Sequence, residues 1–80
     1  MYYLYILKCG DDSLYTGITN DIEKRLTVHR EGKGSKYVRS HLPIKIVYQE
    51  KYKTKEEACK REFEIKQMSR EKKLTLIEKK

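Results

Sequence analysis

Leu14-Tyr15-Thr16-Gly17-Ile18-Thr19-Asn20-Asp21-Ile22-Glu23-Lys24-Arg25-Leu26-Thr27-Val28-His29 spells a strand, a turn and a helix in one run. The first part is rich in aromatic and β-branched residues, and period two puts Tyr15, Gly17 and Thr19 on one face of a strand spanning Ser13 to Thr19. A glycine weakens a strand interior unless a bulge or another backbone needs the room, so Gly17 stands out. Asn20 followed by Glu23 matches a capping box, and Asp21 in the first turn suits the helix dipole. The predicted helix runs to about Glu31. At about 100° per residue Ile22, Leu26 and His29 share a face, with Arg25 at its border. A cation and an imidazole beside a core-facing stripe are materials for a site. The ordinary alternative is an arginine stem lying along apolar surface and a histidine satisfied at the border.

Working back toward the N-terminus, Tyr2 to Lys8 reads as a second strand, with Tyr3, Tyr5 and Leu7 on one face and Tyr2, Leu4 and Ile6 on the other. Cys9-Gly10-Asp11-Asp12 is a turn cluster, so the two strands form an antiparallel hairpin. Working forward, Arg30 to His41 reads as a loop punctuated by Gly32 and Gly34. It carries Arg30, Lys33, Lys36 and Arg39, with Tyr37 interleaved and Ser35 and Ser40 adding hydroxyls. Such a loop suits contacts to phosphates, and its bland alternative is a solvated loop. Pro43 ends it, and Ile44 to Tyr52 alternates as a third strand.

Thr54 with Glu57 is another capping box, opening a helix to about Met68. Its wheel gathers Ala58, Cys59, Glu62, Ile65 and Lys66 on one side, away from Glu56, Lys60 and Glu64. A carboxylate within an apolar stripe costs on the order of several kcal/mol unless it is paired or binds a cation. A salt bridge from Glu62 to Lys66, one turn on, meets that need. A metal ligand or an acid–base group meets it equally well. Ser69 caps a last helix from Arg70 to Lys79, anchored by Leu74 and Ile77. The expected fold is α+β: a small three-stranded antiparallel sheet flanked by helices, in the order ββαβαα and forming one domain over residues 1–80.

Composition narrows the function classes. Nineteen Lys/Arg against twelve Asp/Glu give a formal charge of +7, which on so small a domain favours polyanions, nucleic acid before an acidic membrane. Cys9 and Cys59 lack the spacing of a zinc site, and Cys59 is expected as a buried free thiol. The apolar run from Tyr2 to Leu7 is too short for a signal segment or a membrane span, so a cytoplasmic protein is expected.

At Tyr3-Leu4-Tyr5 and Tyr15-Thr16-Gly17 the chain resembles the GIY-YIG nuclease superfamily, and among its members the small single-domain bacterial ones. The whole ensemble matches: two motifs on adjacent strands, a helix directly after the second, Arg25 and His29 one turn apart, and a helical carboxylate, Glu62, far along the chain. The resemblance implies a metal-dependent endonuclease that hydrolyses phosphodiester bonds in DNA, RNA being the open alternative. It implies Tyr5 and Tyr15 near the attacking water, one as general base, and Arg25 beside the scissile phosphate. It further implies His29 assisting proton transfer and Glu62 holding Mg²⁺ or Mn²⁺. The basic segment with Arg30, Lys33, Lys36, Tyr37 and Arg39 becomes the expected nucleic-acid contact. The motifs depart from the family pattern at Tyr3-Leu4 and Thr16, Ile18 stands where many relatives have lysine, and a downstream asparagine of larger relatives has no counterpart. No appended DNA-binding domain is read here, so selection by substrate shape, or by a protein partner, of a monomeric enzyme is expected. The competing functions are a nucleic-acid-binding module without catalysis and a basic adaptor for an acidic protein.

Overall fold

The structure is a computed structural model that describes residues 1–34 and 36–78, the side chain of Tyr37 excepted. Its strands are β1 (Tyr2–Lys8), β2 (Leu14–Thr19) and β3 (Lys45–Tyr52), and its helices are α1 (Ile22–Arg30), α2 (Lys36–Ser40), α3 (Lys55–Lys66) and α4 (Arg70–Glu78). The sheet is antiparallel in the order β2-β1-β3. β1 is therefore the central strand, and its aromatic and β-branched composition fits that place. Tyr5 lies opposite Gly17 on one side and Gln49 on the other.

The alternation in β1 divides the core into two. Leu4 and Ile6 join Tyr48 and Ile65 beneath α3 and α4, where Leu76 and Ile77 also pack. Tyr5 and Leu7 join Val38 on the opposite face, packed by Ile22 and Leu26 of α1. Nine buried apolar residues among those described are a thin core, so the helix caps and turns carry a real share of the stability. Among the described residues, no helix is long and apolar enough to cross a membrane.

Several boundaries differ from those read in the sequence, each for a local reason. The order is ββααβαα, because part of the basic loop closes into α2 around the fully buried Val38. Asp21, not Asn20, caps α1: the Thr19 hydroxyl accepts from Asp21 N at 3.1 Å, and Asp21 in turn accepts from Lys24 N at 3.1 Å. That turn through Thr19 delays the helix by one residue. α1 ends at Arg30, where Gly32 at φ 76° allows Lys33 N to reach Val28 O at 3.0 Å in a Schellman closure. At α3 the Thr54 cap holds as expected, accepting from Glu57 N at 3.2 Å. Cys59 is only half-buried, whereas Cys9 is buried. In α4, Leu76 and Ile77 face the core while Leu74 is exposed, so Leu74 is not an anchor. Ser35 and Lys79, read above as a hydroxyl donor and a helix end, lie outside the described residues.

Candidate active site

A cleft of about 300 Å³ opens beside β2 and is lined by Tyr5, Tyr15, Gly17, Ile18, Arg25, His29, Gly34 and Glu62. Four elements supply its side chains. Tyr5 comes from the central strand, Tyr15 from the edge strand, Arg25 and His29 from α1, and Glu62 from α3. All five residues expected to carry chemistry are thus brought together, although Tyr5 and Glu62 lie at opposite ends of the chain.

The interior of the cleft is a tyrosine–histidine pair. Tyr5 and His29 are both almost fully buried, and the Tyr5 hydroxyl lies 3.1 Å from His29 Nε2. The Tyr15 ring meets the imidazole edge-on, with centroids 5.7 Å apart. Burial, reinforced by Tyr15 and Glu62 and opposed by Arg25, pushes the Tyr5 phenol up to about 12. Burial and then the Arg25 charge hold His29 below its ordinary range. Both groups are therefore neutral at pH 7. His29 Nδ1 is buried and has no hydrogen-bond partner among the described residues. With its proton on Nδ1, the imidazole accepts from the phenol at Nε2.

The His29 shift sets a direction for stability. A histidine held neutral by the fold binds its proton more readily when unfolded. Its contribution is complete above the unfolded value of about 6.5 and is lost as pH falls from there through the lower folded value. Urea unfolding followed from about pH 8 to pH 5 should show stability declining, with a shallower decline in His29→Gln. Identical slopes in the two proteins would remove His29 as the cause.

Two glycines make the pair possible. A Cβ on Gly17 would stand 2.6 Å from the Tyr5 hydroxyl and 2.8 Å from Cζ. The Tyr5 ring is buried and tied to His29, so it cannot swing aside as an exposed side-chain end would. Gly34 performs the same service for the imidazole: a Cβ there would lie 2.5 Å from His29 Nδ1. Gly17→Ala is expected to destabilise the fold by roughly 1–3 kcal/mol, the usual cost of overpacking. A denaturation midpoint equal to that of the wild type would show that Tyr5 has room to move. The strand pattern signals Gly17 in advance. Gly34 carries no such signal, because its role depends on the loop folding back over α1.

Arg25 is exposed at the mouth and has no salt bridge among the described residues. Glu62 is partly buried and pairs with Lys66 Nζ at 3.3 Å. Glu62 thus makes the expected ion pair and also lines the cleft. An i,i+4 pair with one exposed partner is worth only about 0.3–0.5 kcal/mol, so a divalent cation can displace the lysine. The described residues contain no group of three metal-ligating side chains. A single hard carboxylate fits Mg²⁺ or Mn²⁺, which retain waters and take substrate oxygens, and does not suit a zinc cage.

The basic segment borders this mouth through Gly34. Arg30, Lys33, Lys36 and Arg39 are exposed, and Lys33 makes only a loose contact of 3.9 Å to Glu31. The fifth expected contact, the Tyr37 side chain, lies outside the described part of the structure.

Comparison with known proteins agrees with this geometry. The GIY-YIG catalytic domain model matches residues 1–75. A UPF0213 protein of Staphylococcus saprophyticus is 57% identical over 76 residues, covering 95% of this chain and 93% of its own. One from Staphylococcus haemolyticus is 51% identical over 77 residues, covering 96% and 94%. The solution structure of a UPF0213 protein from Bacillus halodurans aligns with a TM-score of 0.66 at 44% identity, over all of this chain and 86% of that one. A solution structure of an E. faecalis protein aligns with a TM-score of 0.68 at 38% identity, over 98% of this chain and 83% of the other.

Proposed function

Because the chain belongs to the GIY-YIG catalytic domain family, a nuclease-type domain, we propose that it is a metal-dependent endonuclease hydrolysing phosphodiester bonds in DNA. The observation that carries this reading is the convergence of Tyr5, Tyr15, Arg25, His29 and Glu62 on one cleft. An electropositive protein surface beside that cleft gives a polyanion its approach.

Hydrolysis needs a deprotonated water, relief of charge on the phosphorane oxygens and an exit for the leaving group. A phenol near 12 is a poor base by itself. The neutral imidazole behind it changes that. As the Tyr5 oxygen accepts the proton of a water in the cleft, the phenol's own proton passes to His29 Nε2 along the existing hydrogen bond. Arg25, at the mouth and without a salt bridge among the described residues, offers its planar fork to the phosphate oxygens as their charge grows. Tyr15 packs against the imidazole and keeps it turned toward Tyr5. Glu62 would hold Mg²⁺ or Mn²⁺, which when bound supplies charge neutralisation and a more acidic water. Arg30, Lys33, Lys36 and Arg39 hold the strand by its phosphates, contacts that position without reading sequence. Substrate choice then falls to shape, such as a flap or branch, or to a partner protein.

The test is cleavage of a labelled panel of single-stranded, duplex, flap and branched DNAs with Mg²⁺ or Mn²⁺, and with a chelator. Cutting that requires the metal and favours one shape is the expected result. Salt-sensitive binding with no cutting under any condition would replace this reading with that of a binding module.

A further inference from the structure

We propose that Glu50, Tyr48, Tyr52 and Arg61 form a positioning network that sets the rotation of α3 on the sheet and thereby keeps Glu62 turned to the cleft. The inference rests on the reading of Glu62 as the cation ligand of that cleft.

Three side chains share the Glu50 carboxylate in this network, the densest polar cluster among the described residues outside the cleft. Arg61 grips Glu50 through Nε at 3.0 Å to Oε1 and Nη2 at 3.2 Å to Oε2. The Tyr52 hydroxyl donates to Oε1 at 2.5 Å, and the Tyr48 hydroxyl donates to Oε2. Tyr48, Glu50 and Tyr52 alternate along β3 and so face the same side, toward α3. The ion pair is 24% and 19% exposed, which distinguishes it from the solvated pairs elsewhere on the surface.

Such a pair is weak evidence for stability, because desolvation offsets most of the attraction. Its distinguishing property is direction. Ala58 and Ile65 seat α3 on the sheet, but apolar contact is non-directional and lets a helix roll. A two-pronged guanidinium–carboxylate contact fixes an angle. Arg61 immediately precedes Glu62, about 100° away around the helix axis. With Arg61 locked over β3, Glu62 is carried over Ile18 and Gly17 of β2 at the opposite edge. The consequence is functional, since a misplacement of about 1 Å at a reacting centre can cost about 10²-fold in rate.

The experiment is NMR on the full chain and on Glu50→Gln and Arg61→Lys, following the Glu62 carboxyl and Ile18 methyl resonances and their broadening by Mn²⁺. Amide spectra first establish that each variant is folded. In both, the Glu62 and Ile18 resonances should move while Val28 on α1 stays. The Mn²⁺ concentration for half-broadening should rise about tenfold, as for loss of an outer-shell partner. Folded variants with Glu62 and Ile18 unmoved and Mn²⁺ affinity unchanged overturn the proposal. Wild-type protein in which Mn²⁺ leaves Glu62 sharp overturns the cation-ligand reading instead, and displaced resonances in the variants still support the positioning role. Arg61→Lys keeps the positive charge beside Glu50, and Tyr52→Phe removes one hydroxyl only, so a folded variant is at hand if Glu50→Gln fails to fold.

Discussion

Arg25→Ala is expected to lower the proposed DNA cleavage by about 10²–10³-fold, equivalent to roughly 2.7–4 kcal/mol of barrier, and to leave folding stability within about 0.5 kcal/mol of the wild type. The two halves of this expectation have separate causes. Arg25 is exposed and makes no salt bridge among the described residues, so its truncation opens no cavity and strands no buried partner. Its charge is nevertheless felt in the interior, where it lowers the affinity of both Tyr5 and His29 for protons. A fork held at the mouth of a cleft acts where charge develops, and it has little to do in the resting protein. Single-turnover cleavage beside urea unfolding separates the two effects. Wild-type cleavage rates in a folded Arg25→Ala protein would remove Arg25 from the mechanism. Arg25→Lys should recover only part of the loss, because the ammonium keeps the charge without the fork.

Glu62→Ala should abolish metal-stimulated cleavage while leaving DNA binding intact or slightly stronger. The carboxylate is the acidic member of the cleft, and among the described residues no other lining side chain is a carboxylate. Its removal takes a negative charge away from the path of a phosphate, so a binding assay should report no loss. The stability change should be small, because the ion pair broken among the described residues is the one to the exposed Lys66. Persistent Mg²⁺-stimulated cutting in this variant would require the cation to be held elsewhere. Measured together, cleavage and binding distinguish an enzyme from a binding module that shares its fold.

The sequence made most of this architecture legible because local rules and the core agree. β1 alternates cleanly, Thr54 caps α3 as its spacing with Glu57 indicates, and Gly17 drew notice in its strand, although the group that needs the room is the Tyr5 side chain rather than a bulge or a backbone. What escaped depends on contacts between distant segments. α2 forms because Val38 finds a buried seat, which no run of Arg, Lys and Ser foretells. The cap of α1 shifted from Asn20 to Asp21 because Thr19 made a competing turn, a choice between two adequate residues. Glu62 was ambiguous on a helical wheel, and the structure gives it both the ion pair to Lys66 and a place in the lining of the cleft. The Glu50 network carried a visible trace, three polar-tipped residues at period two on β3, but its partner Arg61 could be identified only after α3 was laid across the sheet.

The placement of β1 bears on when, during synthesis, the cleft is assembled. β1 is translated before both strands that flank it, and the second of these, β3, does not begin until Lys45. A nascent chain that has reached α1 already carries both tyrosines, the arginine and the histidine, yet it lacks the outer strand and the carboxylate. Closing β1 against β3 requires a long loop to be drawn shut, a step whose entropic cost delays non-local pairing. The order of residues along the chain therefore delays the cleft itself, and partly made copies emerging from the ribosome have yet to bring Tyr5, Arg25, His29 and Glu62 together.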